Sequence, residues 1–413
     1  MAREILVLGA GMVGTSIAFH LARRGHSVTL VDRRPPGEET SFGNAGIIQR
    51  EAVQPHAFPR DMTTLLQVLP NRRIDIRYHP RGMLAAAGPL FQYWRHSAPG
   101  RYADIVPEYA SLIMRCTDEH QQMIEAAGAE ALVRREGWLE VFRTQRVFDA
   151  VLDEAKRNQQ RFGVSYEMLD RAALKAKEPH LADALLGAIH WTNSWTVIDP
   201  GALVQAYARA FEAEGGRFEQ AEVTSVEQAG SGWRLTTPSG TLEAQSLVLA
   251  TGPWAHDALK PLGYRLPMFP KRGYHMHYTM REPARLSHWV MDYESGYLLA
   301  PMRAGIRLTT GAELTTLEGE ARHGQLEAAE RVARQLLPLG ERRDPEPWRG
   351  NRPCMPDMKP VIGPAPRHPG LWFAFGHGHQ GFTLGPVTGR LIGEMIDGES
   401  PCVDVAPFRA ERF

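Results

Sequence analysis

The chain has 413 residues, 47 of them Lys or Arg and 47 Asp or Glu, so no net charge favours a nucleic acid partner. Hydrophobic residues at 43% and charged residues at 23% are those of an ordinary globular protein with room for two or three domains, and they exclude a disordered or fibrous chain. Three widely spaced cysteines, Cys116, Cys354 and Cys402, exclude a disulfide framework and a thiolate metal site and fit a reducing cytoplasm.

Residues 4–8 are an apolar run of strand length. From residue 12 to 24, Val13, Ile17, Ala18 and Leu21 recur at helical spacing, Gly25-His26 breaks the helix, and residues 27–31 resume as a strand. This is a right-handed βαβ unit with a parallel strand pair. Its turn reads Gly9-Ala10-Gly11-Met12-Val13-Gly14, the GxGxxG spacing in which glycines permit a tight turn and let a helix N-terminus approach a pyrophosphate. Asp32 closes the second strand, where a carboxylate accepts hydrogen bonds from a ribose diol and repels a 2′-phosphate. Dinucleotide contacts are therefore expected at Gly9, Gly11, Met12, Val13, Gly14, Asp32 and Arg33, against the competing reading of a structural glycine turn.

Residues 40–46 offer Ser41, Asn44, Ala45 and Gly46, small residues whose backbone N–H groups suit a diphosphate or flavin ring. A plain surface turn is the competing reading. Residues 51–198 then interrupt the nucleotide-binding pattern, with an exposed helix expected over 145–162 and an extended segment over 187–198. Residues 83–93 are apolar but too short to span a bilayer and are bracketed by Arg81 and Arg95, so they are expected at most to touch a membrane surface. The N-terminus lacks the apolar core of a signal peptide, and a cytoplasmic location is expected.

Asp199-Pro200 reads as the cap and first turn of a helix carrying Leu203, Tyr207 and Phe211 on one face and stopping at Gly215-Gly216. Strands are expected at 222–226, 233–236 and 246–250, the last ending at Thr251-Gly252. Val223, Thr251, Gly252 and Trp254 join the expected cofactor contacts. A second interruption, 261–345, contains strand-like segments at 275–279, 296–300 and 305–310. In the first, Tyr274 alternates with His275, so that His275 and His277 share one face and Tyr274 the other.

The chain closes with Gly376-His377-Gly378-His379-Gln380-Gly381-Phe382 and a helix over 384–396 bearing Gly385, Gly389 and Gly393, a bare stripe suited to close packing. The N-terminal end of that helix suits the anion that builds on a reduced flavin. Gly378, His379, Gln380 and Gly381 are its expected cofactor contacts. The His275/His277 and His377/His379 pairs lack cysteines or an HExxH frame, and no metal is expected.

Together these motifs, with Asn351-Arg352-Pro353 and residues 356–363, resemble the D-amino acid oxidase superfamily, nearest in pattern to bacterial D-amino acid dehydrogenases, with glycine and sarcosine oxidases as relatives. The resemblance implies an α/β fold. A Rossmann-like FAD-binding domain (1–50, 199–260 and 346–413) would carry an inserted α+β substrate domain (51–198 and 261–345) with a mixed or antiparallel sheet. It implies non-covalent FAD, a small amino acid or amine as substrate, and hydride transfer from Cα to the flavin. It places Arg352 as carboxylate clamp, with an ion pair to Asp357 or Glu346 as the competing use, and Tyr297 and His379 beside the substrate. Sarcosine oxidases carry an oxygen-assisting lysine near residues 305–311; this chain has Arg307, Leu308, Thr309 and Thr310 there, which favours a dehydrogenase passing electrons to a quinone or an electron-transfer acceptor, with peripheral contact at the inner face of the membrane. Oxidation of a cyclic or secondary amine such as D-proline, D-hydroxyproline or sarcosine is the near alternative. An NAD-dependent dehydrogenase or a flavin-bearing subunit of a complex is the distant one.

Overall fold

In a computed structural model describing residues 2–413, the chain forms an α/β fold around two large sheets. Strand Glu4–Leu8 pairs in parallel with Ser27–Asp32 on one side and Ser246–Leu249 on the other, as its apolar run demands of a strand covered on both faces. Arg217–Gln220 and Leu371–Phe375 extend the parallel set, and Val361–Pro364 closes one edge antiparallel.

Helix Met12–Arg23 follows the first strand, and helix Gly381–Asp397 lies directly against it. The glycine stripe explains how closely: a Cβ on Gly385, Gly389 or Gly393 would sit 2.6 Å from Met12 Cγ, 2.6 Å from Ser16 O and 2.7 Å from Arg24 Nε respectively. Pro386 lies inside the last helix and has no N–H to give to the carbonyl of Phe382 four residues earlier. His120 supplies the missing donor, with Nε2 3.0 Å from Phe382 O and Nδ1 2.9 Å from the Tyr207 hydroxyl. The ring therefore carries its proton on Nε2 and accepts from tyrosine on Nδ1. Burial lowers its pKa to about 4, keeping it in that neutral form.

The second large sheet has eleven strands and is mixed. Its spine, Phe269–Met280, pairs antiparallel with Gly305–Thr309, Leu339–Arg342 and Trp348–Cys354, while Val290–Asp292 with Trp138–Phe142 and Ala312–Leu314 with Ile76–Tyr78 are parallel pairs. Three features cross the boundaries expected from sequence. Strand Trp348–Cys354 belongs to this sheet because its backbone pairs along the spine from Phe269 to His275. Helices Pro99–Ile113 and Cys116–Ala127 pack against the last helix and share the core of the nucleotide-binding sheet. Of the strand expected at 222–226, only Ser225 and Val226 are strand, at the start of Ser225–Ala229; 222–224 belong to the link from Arg217–Gln220, where the chain leaves one sheet for a small antiparallel one.

Helix Gln145–Phe162 forms with the expected bounds, though it buries a stripe of Phe148, Val151 and Ala155. The extended segment at 187–198 resolves into strands Gly187–Trp191 and Trp195–Val197. Asp199 caps the next helix, its side chain accepting the Ala202 N–H at 3.0 Å. Among the described residues, no helix is long and apolar enough to cross a membrane.

Gly389→Val should destabilise the fold by about 2–3 kcal/mol, because backbone oxygen rather than a yielding side chain meets the added carbons. Urea denaturation measures it, and an unchanged midpoint would show that the two helices can separate without cost.

Candidate active site

A cavity of about 1740 Å³ runs between the two sheets. At one end the GxGxxG turn is held by steric necessity. Gly9 has φ +110°, and a Cβ there would lie 2.5 Å from Ala250 O; one on Gly14 would lie 1.7 Å from Gly9 O. Gly9, Gly11, Met12 and Val13 line the cavity, whereas Gly14 serves the packing of the turn. Asp32 also lines it, with Oδ2 accepting the Ala10 N–H at 2.7 Å and Oδ1 the Arg34 N–H at 3.1 Å. Burial raises the Asp32 pKa, opposed by these two donors. Arg33 lies 4.4 Å over the Trp254 ring and, with Trp254 and Val223, forms the wall beside it. Thr251 and Gly252 complete this end. The buried Thr251 Oγ1 has no hydrogen-bond partner among the described residues, which fits a polar group of a bound dinucleotide.

The loop at 40–46 is pinned by side chains from the second sheet. Arg307 donates to Phe42 O at 3.0 Å and Asn44 O at 2.6 Å, and its Nε lies 3.0 Å from His277 Nε2. Trp289 Nε1 donates to Ala45 O at 2.8 Å. Within the loop, Asn44 Oδ1 accepts the Gly46 N–H at 2.8 Å, and Ser41 Oγ accepts the Met12 N–H at 2.9 Å, capping a helix whose own N-cap is the bare Gly11. Ser41, Asn44 and Ala45 line the cavity; Gly46 instead passes close to the Val197 carbonyl, where a Cβ would approach to 2.3 Å. Gly378, His379 and Gly381 line the other end, while Gln380 turns its Nε2 to Gln49 Oε1 at 2.7 Å.

Arg352 lies in the wall shared with that end. It leans over Gly273, where a Cβ would meet its Nη2 at 2.6 Å, and donates to Gly311 O at 2.9 Å and Thr310 O at 3.4 Å. No carboxylate pairs with it among the described residues: Asp357 is taken by Arg412 at 2.6 Å. Burial lowers the Arg352 pKa, yet guanidinium stays protonated at any working pH. Lys271 is its cross-strand partner in the spine, so two cations share one face, and the ammonium rests 4.3 Å from the Tyr93 ring centre. Like charges placed so are unfavourable without an anion between them.

His379 stands 4.7 Å, centre to centre, from His56. Desolvation within the cavity, with Lys271 and Arg352 nearby, takes the His56 pKa down to about 4 although the residue keeps an exposed surface; His379, half-buried, is pushed down by desolvation, His56 and the same two cations. Tyr297 lines the cavity, but its hydroxyl donates to Asp292 at 3.2 Å, and Asp292 pairs with Arg143 at 2.6 Å. The hydroxyl is thereby engaged in a buried ion pair. Of the strand histidines, His275 stacks on Trp348 and His277 pairs with Asp344 at 2.8 Å, and among the described residues no group of three potential ligands could hold a metal. Sequence reasoning missed Lys271, His56 and Trp289 entirely and passed Arg307 only as a lysine's replacement. The Lys271-Arg272 pair, just ahead of the expected strand at 275–279 and inside the observed one, was the one local signal.

A family profile described as DAO, FAD dependent oxidoreductase, matches residues 4–395. A D-amino acid dehydrogenase of Cereibacter sphaeroides is 32% identical over 99% of this chain and 95% of its own length. One from Rhizobium johnstonii is 30% identical over 99% and 100%. Among solved structures, glycine oxidase from Geobacillus kaustophilus superposes with a TM-score of 0.74 at 24% identity, covering 100% of this chain and 99% of that one. L-proline dehydrogenase from P. horikoshii superposes at 0.73 and 19% identity, over 100% and 98%.

Asp32→Ala should weaken FAD retention about 10- to 100-fold, the worth of a charge-assisted hydrogen bond. Flavin content after gel filtration and a fluorescence titration of the stripped protein measure it; undiminished affinity would remove Asp32 from the cofactor's partners.

Proposed function

Since the chain belongs to the DAO family of FAD dependent oxidoreductases, we propose that it is a dehydrogenase of small D-amino acids. The carrying observation is Arg352, a half-buried guanidinium on the cavity wall with no acidic partner among the described residues. FAD, when bound, supplies the acceptor for a hydride from Cα.

The residues expected to hold it are the cavity-lining members of the first turn, Asp32, Arg33, the 41–45 loop, Val223, Thr251, Gly252, Trp254 and the 378–381 loop. Arg352 takes the substrate carboxylate on the N–H groups not given to Gly311 and Thr310, and a two-pronged grip fixes the orientation of Cα. Lys271 adds positive potential on the same face. The cations that favour the carboxylate disfavour an ammonium beside it, so the amine reacts neutral and no protein base is required. His56 and His379 remain uncharged and serve as wall. We leave Tyr297 out of the clamp because its hydroxyl is held by Asp292. Cys354, whose pKa burial raises, is a poor nucleophile, in keeping with non-covalent FAD.

For the acceptor, we favour a quinone or electron-transfer partner at the inner membrane face over oxygen. Arg307, in the stretch where sarcosine oxidases carry their lysine, is immobilised by Phe42 O, Asn44 O and His277, and burial lowers its pKa to about 10, which leaves it protonated.

Anaerobic mixing with D- and L-amino acids, proline analogues, sarcosine and glycine tests the reading: D-amino acids should bleach the flavin, and bleaching by none of the panel would overturn it. Arg352→Lys should keep FAD and lose about 100-fold in kcat/KM, since a point charge cannot replace the fork. The acid limb of kcat/KM should rise with pH towards the substrate's own ammonium pKa without a break near the ordinary histidine value of about 6.5. A break there would assign a proton-transfer role to His56 or His379.

A further inference from the structure

Among the described residues, six of the ten exposed large hydrophobic side chains lie in one segment: Met62, Leu66, Leu69, Leu84, Phe91 and Trp94, with Leu84 80% and Met62 67% exposed. Helix Met62–Val68 is capped by Asp61, which accepts the Thr64 N–H at 2.7 Å, but buries none of its residues. Leu65 and Val68 turn half-buried towards the cavity, while Met62 and Leu66 stand exposed. Phe91 and Trp94 stack at 6.0 Å, and the Arg60 guanidinium lies 3.9 Å over the Trp94 ring.

The charge of this segment departs from that of the whole chain. Residues 58–101 hold seven arginines against Asp61 and Asp75 and no glutamate, in a protein whose charges balance overall. Arg72, Arg81, Arg95 and Arg101 are exposed without an acidic partner among the described residues. The same stretch lines the cavity through Leu65, Val68, Leu69 and Met83, so the exposed apolar face and the cavity wall share one segment.

We propose that this face docks on an anionic lipid surface, with the apolar side chains entering the headgroup boundary and the arginines meeting lipid phosphates, so that a quinone dissolved in the bilayer reaches the cavity from the membrane. Exposed Leu, Met, Phe and Trp beside unpaired arginines are the chemistry that such an interface recognises. A second copy of the chain is disfavoured, because a two-fold contact through this face would set arginines against arginines. An acidic protein offers charge but no reason for so many apolar tips. The acceptor part rests on the dehydrogenase reading: two electrons and two protons leave the amino acid as it becomes the imino acid, and the same two electrons and two protons convert quinone to quinol.

The FAD-loaded protein is floated with phosphatidylcholine vesicles, with and without phosphatidylglycerol. Binding should require the anionic lipid and fall about five-fold for each of Arg72→Gln, Arg81→Gln and Arg95→Gln. Leu66→Ser, Leu84→Ser and Phe91→Ser combined, none lining the cavity, should abolish flotation and reduction of vesicle-borne quinone while leaving reduction of a soluble dye unchanged. Equal binding to neutral vesicles, no binding to either, or flotation of the triple variant like the parent would overturn the proposal, as would a dimer that the triple variant dissociates. Flotation as expected with no D-amino acid reducing the dye would instead remove the dehydrogenase reading and leave the docking face standing.

Discussion

The site depends on one close approach, that of the first helix to the last. Three glycines at four-residue spacing remove every side chain from the facing stripe, and the backbones meet where any Cβ would collide. This contact sets the GxGxxG turn and the 376–381 loop at the same cavity although they are separated by almost the whole chain. Pro386 belongs to the same arrangement. It leaves one carbonyl without its helical donor, and His120, from a segment inserted far earlier, satisfies that carbonyl and ties three helices together. A hydrogen bond of this kind is worth most where its absence would leave a buried oxygen unpaired.

Around that frame the second sheet both clamps and charges the cavity. Arg307 and Trp289 hold the carbonyls of the 40–46 loop from outside, converting a glycine-rich turn into a fixed wall. Lys271 and Arg352 bring two cations to one face of an antiparallel pair without a carboxylate between them. A sheet tolerates such a pair when a negative charge completes it, which is the arrangement that the carboxylate clamp proposed for Arg352 requires. The cavity-wall histidines near it, His56 and His379, are uncharged for the same electrostatic reason: desolvation and neighbouring cations both oppose a further proton.

What was legible in the sequence was local. Periodicity marked the first βαβ unit, the helix capped by Asp199 and the glycine-striped final helix, because each rests on interactions within a few residues. The competing ion pair of Arg352 with Asp357 could not be weighed from spacing, since it turned on where Arg412, dozens of residues later, places its guanidinium. Tyr297 shows the opposite failure. A residue in a suggestive stretch has its hydroxyl committed to Asp292, and Asp292 to Arg143, a link between strands distant in sequence.

The amino-acid sequence by itself determined the dinucleotide turn, the acid that follows it and the bare stripe of the closing helix, because the steric freedom of glycine and the reach of a carboxylate are properties of single residues and their near neighbours. Only the tertiary structure decided that Trp348–Cys354 pairs along the spine from Phe269, that Lys271 faces Arg352, and that apolar side chains from 62 to 94 stay uncovered. Those outcomes depend on register between remote strands and on which surfaces find a partner, and neither is encoded in any short stretch of chain.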